Sequence, residues 1–145
     1  MIAVDTNILV YAHRHDSEFF HAASSCIGQL AQGGALWAIP WPCVHEFLAV
    51  VTNPQAINPP TPMDRAIDQF DAWRESPTLR FLAEPPGYWE SLSGMLKAGK
   101  VTGPKIHDAR IAAICKAHGV RELWTADRDF SRISGLRTRN PLLTN

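Results

Sequence analysis

The sequence predicts an α/β sandwich around a mainly parallel sheet. Short strand-like runs (Ile2–Val4, Leu36–Ile39, Leu79–Ala83 and Glu122–Thr125) alternate with longer segments of helical character, the pattern of βα units. Ile2–Val4 and Leu36–Ile39 are apolar throughout, as strands buried on both faces should be. Glycine, proline and small polar residues stand at the joints between these segments.

Taken in order, Ile2–Val4 ends at Asp5, and Asp5-Thr6-Asn7 offers capping oxygens to a short helix over Ile8–Tyr11. A second helix runs from Phe19 to Gln32, with Gly33-Gly34 expected to supply a left-handed end. Pro40-Trp41-Pro42 breaks the strand Leu36–Ile39, and Pro42 suits the start of a helix reaching Val51. Asn53 to Thr61 holds three prolines and reads as a loop. Thr61-Pro62-Met63-Asp64 resembles a capping box, with Asp64 in place of the usual Glu, and opens a helix to about Glu75. After the strand Leu79–Ala83 come a helix from Gly87 to Ala98, ended by Gly99, and another from Lys105 to His118, ended by Gly119. Glu122–Thr125 is the last clear strand, with a weaker one expected near Leu136.

The chain has 145 residues, a length that predicts one domain spanning 1–145. At that size a chain buries roughly 68–70% of the surface its unfolded form exposes. A 46% hydrophobic and 19% charged composition excludes a disordered protein. Cys26, Cys43 and Cys115 are odd in number and far apart, which excludes a disulfide framework or zinc ribbon and fits a reducing compartment. Without an apolar run of ~18–20 residues or a basic segment ahead of Ile2, the expectation is a soluble cytoplasmic domain with no membrane association. The zero net charge hides a split: residues 1–96 carry 4 basic and 10 acidic groups, and residues 97–145 carry 10 basic and 4 acidic. Such asymmetry acquires meaning only where the nearby chemistry calls for a polyanion.

Strands of a parallel α/β sheet finish, and the following helices begin, along one edge, where ligands bind. Asp5 ends the first strand; Glu46 is expected in the first turn of the helix after the second; Asp108 is in the first turn of the helix Lys105–His118; Asp127 follows the last clear strand. Four carboxylates scattered through the chain thus converge on one rim. Each taken singly reads equally well as a cap, a turn residue or a favourable charge at a helix N-terminus. Glu46 is the hardest to dismiss, since Phe47-Leu48-Ala49-Val50-Val51 predicts a helix buried all round. Two carboxylates ~5 Å apart repel by roughly 3 kcal/mol at an effective dielectric of ~20. Such a set calls for protonation or a cation, and hard oxygen ligands suit Mg²⁺ or Mn²⁺. A divalent ion so held acidifies water and stabilises charge at a phosphodiester. Thr6, Asn7 and Thr125 are neighbours suited to holding a carboxylate, while Lys105, Arg110 and Arg128 flank the acids and suit a phosphate backbone.

Val4-Asp5-Thr6-Asn7, Glu46 in a proline-preceded helix, Asp108-Ala109 and Thr125-Ala126-Asp127-Arg128-Asp129-Phe130 together resemble a PIN-domain ribonuclease, and more narrowly a VapC-type toxin of a toxin–antitoxin pair. The resemblance runs from Ile2 to Phe130 and implies a PIN-like three-layer α/β/α sandwich. It implies an acidic Mg²⁺ site of Asp5, Glu46, Asp108 and Asp127, supported by Asn7 and Thr125, with Asp129 able to replace or assist Asp127. It also implies endonucleolytic cleavage of structured RNA, a homodimer, and a VapB-type antitoxin that assembles with the toxin and blocks the site. The alternative is a PIN-like module without catalysis that binds RNA or regulates; the complete acid set speaks against it.

Other signals are weaker. His13-Arg14-His15-Asp16 has the form of a metallohydrolase fragment, yet His21, His45, His107 and His118 lack completing spacing. The HD dipeptides His15-Asp16 and His107-Asp108 suggest an all-helical phosphohydrolase, which the strands exclude. A phosphoacceptor domain would want paired acids after the first strand, where Asp5 stands alone. Among the five tryptophans, Trp37 and Trp124 are expected in core strands, and Trp41, Trp73 and Trp89 in core or contact positions rather than stacked on bases.

Overall fold

The computed structural model describes residues 1–133 and 135–143; Ser134, Thr144 and Asn145, within the expected span 1–145, lie outside the described residues. The elements are β1 (Ile2–Val4), α1 (Thr6–His13), α2 (Phe20–Gln32), β2 (Trp37–Pro40), α3 (Trp41–Val51), α4 (Met63–Arg74), β3 (Leu79–Leu82), α5 (Tyr88–Ala98), α6 (Lys105–Ala117), β4 (Glu122–Trp124), a 3₁₀ turn (Arg128–Arg132) and β5 (Thr138–Arg139). The sheet has the order β3-β2-β1-β4-β5, and every pairing is parallel.

That order fixes the layers. From β1 to β3 the chain steps outward in one direction, through α1 to α4; it then crosses back over β2 and β1 through α5 and α6 to reach β4. Right-handed crossovers place the two groups of helices on opposite faces. The contacts agree, joining α1 to α2 and α3, α3 to α4, and α5 to α6. All four residues of β2 are buried, as expected of an inner strand covered on both sides, whereas Arg80 in edge strand β3 is exposed. Trp37, Ile39, Phe47, Ile114 and Leu123 are among the largest fully buried side chains. Trp37, Trp124 and Trp73 lie in the core, while Trp41 and Trp89 are exposed.

Several local expectations need correction. Gly33 is extended (φ −76°, ψ 166°), so α2 does not end in a left-handed residue; α6 does, at Gly119 (φ 71°). Pro62 stands at the N-cap of α4 without a side-chain bond. The Thr61 hydroxyl is drawn instead to His13 Nε2 (3.0 Å) and Arg14 Nη1 (3.2 Å), so no capping box forms. Helix α3 starts at Trp41, which moves Glu46 into its second turn, and its outer face carries exposed His45, Glu46 and Ala49. It is therefore not buried all round. The last strand forms at Thr138–Arg139, two residues beyond Leu136, where Thr138 and Arg139 pair with Leu123 and Trp124.

Candidate active site

Strand order reverses between β1 and β4, and the crevice beyond the carboxyl ends of such strands is where open α/β sheets receive ligands. The Asp5 amide donates to the Trp124 carbonyl at 2.9 Å, which carries the β1–β4 pairing one residue past the strand. Asp5 is thereby set beside Thr125. Its Oδ2 accepts from Thr125 Oγ1 (2.7 Å) and, at the edge of range, from Asn7 Nδ2 (3.5 Å). Its Oδ1 accepts from the Thr6 amide (2.8 Å) and from Cys43 Sγ (3.6 Å). The cap on α1 is thus real, yet a cap normally lies in water and Asp5 is only 5% exposed. Burial outweighs the donors and, with a smaller push from the Glu46 charge, raises its pKa from 3.8 to about 6.

Around this carboxylate the polar groups are used fully. Thr125 Oγ1 donates to Asp5 and accepts from Asn7 Nδ2 (3.2 Å) and the Asp127 amide (3.0 Å), which exhausts a hydroxyl. Asn7 Oδ1 accepts from the Ala126 amide (3.1 Å), tying α1 to the segment after β4. Thr6 Oγ1 donates to Glu46 Oε2 (3.2 Å) from across the cleft. Asp108, half-buried on α6, has its pKa raised by burial first and then by the charges of Asp127, Glu46 and Asp129.

Asp5, Thr6, Asn7, Glu46, Asp108 and Asp127 line one cleft of about 270 Å³, together with Val10, Tyr11 and Val50. Asp129 is exposed and lines the adjoining groove with Asp108, Lys100 and Lys105; its amide caps onto Asp127 Oδ1 (2.8 Å). The structure thus brings Asp127 rather than Asp129 into the cleft with Asp5. Arg128 is exposed on the next turn. Arg110 is committed to Glu84, with Nη2 at 2.6 Å and Nε at 2.9 Å from the same oxygen. Arg14, Arg74 and Arg137 pair with Asp16, Asp71 and Glu122, away from the cleft. Among the described residues, no three His, Cys, Asp or Glu side chains are gathered tightly enough to hold an ion as they stand. His13 bonds Gln69 (3.1 Å) and Thr61 (3.0 Å) through its two ring nitrogens.

Beside the apolar Val10 and Val50, Tyr11 and Cys43 were not singled out from the sequence for a role in this site. Tyr11 follows Asn7 by one helical turn, so the i,i+4 rule would have found it. Cys43 shares the inner face of α3 with Phe47 at the same spacing, but nothing in the sequence says that this face meets Asp5.

A parallel sheet with carboxylates gathered at its switch point defines the class to which the comparisons point. A family model described as PIN domain matches residues 2–136. The chain belongs to the PIN-domain family, among its VapC-type members. It is 31% identical to ribonuclease VapC43 of Mycobacterium tuberculosis, over 98% of this chain and 96% of that protein. It is 28% identical to ribonuclease VapC48 of the same organism, over 94% of each. Among solved structures, VapBC2 from Rickettsia felis, crystallised with a DNA fragment from their promoter, superimposes with a TM-score of 0.67 at 21% identity, covering 96% of this chain and 98% of that one.

Proposed function

We propose that this chain is a divalent-metal-dependent endoribonuclease, the toxin of a toxin–antitoxin pair, hydrolysing phosphodiester bonds of structured RNA. The observation that carries the reading is the convergence of Asp5, Glu46, Asp108 and Asp127 on one cleft, with Asp5 held there against its own desolvation. The VapC relatives are named ribonucleases, which supports RNA as the substrate. An all-oxygen, carboxylate-rich donor set suits Mg²⁺ or Mn²⁺. Asp5, Glu46, Asp108 and Asp127 are the residues that would hold it. Bound there, such an ion would acidify water and neutralise charge developing on a phosphate.

The chain's own residues account for the rest. Thr125 and the Thr6 amide fix both oxygens of Asp5, so the carboxylate has one orientation before any ligand arrives. Thr6 steers Glu46, and Asn7 locks the Ala126–Asp127 segment against α1. Lys100 and Lys105, in the groove beside Asp108, would neutralise flanking phosphates without reading sequence.

The same reading extends to partners. The R. felis neighbour was solved as VapBC2, and we carry over a VapB-type antitoxin that covers the acid cleft. Met63 and Ile67, one turn apart on α4 and 50% and 45% exposed, offer apolar surface to a second copy of the chain or to that partner. Among the described residues no helix is long and apolar enough to cross a membrane.

The decisive assay is RNA cleavage by purified protein with and without EDTA. Chelation should stop it, Mg²⁺ or Mn²⁺ should restore it, and Asp108→Asn should abolish it while the circular-dichroism spectrum stays native. Cleavage that persists in EDTA, or an Asp108→Asn protein that cuts normally, would refute the site.

A further inference from the structure

We propose that the groove between α3 and α6, beyond Glu46 and Asp108 from the acid cleft, receives one nucleotide adjoining the scissile bond, its base held by His45 and His107. This rests on the ribonuclease reading for what the cleft acts on. The groove has a volume of about 510 Å³ and is lined by His45, His107, Arg110, Pro42 and Pro104, with Glu46 and Asp108 as the wall it shares with the cleft. Pockets of ~300–1,000 Å³ are those that enclose small organic ligands.

The sequence builds this arrangement the same way twice. His45 immediately precedes Glu46 on α3, and His107 immediately precedes Asp108 on α6. Consecutive helical residues point about 100° apart, so each acid reaches the cleft while the histidine beside it lines only the groove. A ligand whose phosphate would be engaged through a cation held by the acids thus has two imidazoles a single helical step away.

Of the groove's lining, His45 is backed by aromatic rings that do not themselves line it. Phe81 and Trp41 stack at 4.9 Å with 28° between planes, and Trp41 and His45 lie 6.1 Å apart at 29°. The His45 ring is therefore the outer member of an aromatic column that a base would extend. Unpaired RNA bases are held by stacking on aromatic rings and on guanidinium planes. Arg110 offers such a plane, its charge already matched by Glu84. That pairing also argues against an acidic peptide as the occupant, since an acidic segment would need an uncompensated cation.

Nucleotide binding can be read directly by following the ring C–H signals of the six histidines at fixed pH, in the full chain with Mg²⁺, during titration with AMP, GMP, CMP and UMP. His45 and His107 should shift saturably while His15 and His21 stay put. His45→Ala should weaken the apparent affinity about fivefold or more, the loss of a stacking platform, and His45→Phe should restore it. No saturable shift, equal shifts with inorganic phosphate alone, or shifts with an acidic peptide but not with nucleotides would each overturn the proposal. Cleavage of total cellular RNA, which holds the folded RNAs the reading requires, by the same preparation separates the two ideas. Nucleotide shifts without cleavage would remove the ribonuclease reading and leave the subsite; cleavage with silent histidines would do the reverse.

Discussion

The two walls of the cleft are built on opposite principles. On the sheet wall, Asp5 is buried at the junction of β1 and β4 and held by Thr125, the Thr6 amide, Cys43 and Asn7. On the helix wall, Glu46 is exposed and receives a single hydroxyl, from Thr6, while Asp108 is half-buried and crowded by like charges. The sheet wall is therefore fixed in advance and bears the cost of desolvation; the helix wall adjusts to what arrives. An arrangement of this kind spends fold stability on one oriented carboxylate and keeps the others adaptable.

The largest expected effect tests that division at Asp5. Asp5→Asn should lower RNA cleavage by more than the roughly 10–100-fold that loss of a supporting residue costs at a metal site. It should also stabilise the ion-free protein. Below the unfolded-chain value of 3.8, folded and unfolded chains are both protonated at this position, and the group costs nothing. Between 3.8 and about 6 the folded chain binds the proton that the unfolded chain releases, so stability falls as pH rises through that window. Above it the full cost of roughly 3 kcal/mol is present. Thermal melts in EDTA at pH 5 and 7.5 read this: the wild type should gain stability on acidification by more than Asp5→Asn does. Equal pH dependence in the two proteins would show that Asp5 is not the strained wall. Cleavage, which needs the ionised carboxylate, should fall on acidification, at a pH below the ion-free value because a bound cation favours the charged form.

A smaller effect belongs to Thr125. Thr125→Val removes the donor to Asp5 Oδ2 and the acceptor for Asn7 and the Asp127 amide. Cleavage should fall about 10–100-fold, and the acid limb of the pH–rate profile should move upward, because the lost donor favoured the ionised form. Thr125→Ser should restore both. A Val variant with an unmoved acid limb would show that Thr125 merely fills space.

The contrast between the walls also explains what the sequence made legible. β1 and β2 stand out because their runs are short, apolar and bounded by breakers, and β3 and β4 because each sets a single charge, Arg80 or Glu122, among apolar residues; β5, two residues long, pairs only through the register β4 offers. The acids could be placed on one rim because strand ends and helix starts in a parallel sheet share an edge. The depth of each acid was not legible. Glu46 was expected on a buried helix, but its own face of α3 looks outward with His45 and Ala49. The apolar run after it buries only Phe47 and Val51 fully, while Leu48 and Val50 pack against the core half-covered. Cys43 escaped because its role depends on a neighbour 38 residues away in sequence. Thr61 likewise left its expected cap for His13 and Arg14, partners contributed by another helix and its C-cap.

The smallest effect lies on the open wall. Lys105 begins α6 and is exposed beside Asp108, in the groove shared with Lys100 and Asp129. A charge there acts through solvent and carries no geometric demand, so its contribution to RNA binding should appear as counterion release and little else. With an ion-binding variant such as Asp108→Asn to prevent cleavage, the affinity for a single-stranded RNA should fall with salt along a log–log line. Lys105→Gln should flatten that line by about 0.7, one phosphate contact on a single strand, and weaken binding to all sequences alike. The thermal midpoint and the pH dependence set by Asp5 should not move. A slope unchanged from its parent would mean that RNA leaves the cleft on another side. A shifted pH dependence would mean that the two walls communicate, and that the helix wall is not the independent, adaptable surface its exposure indicates.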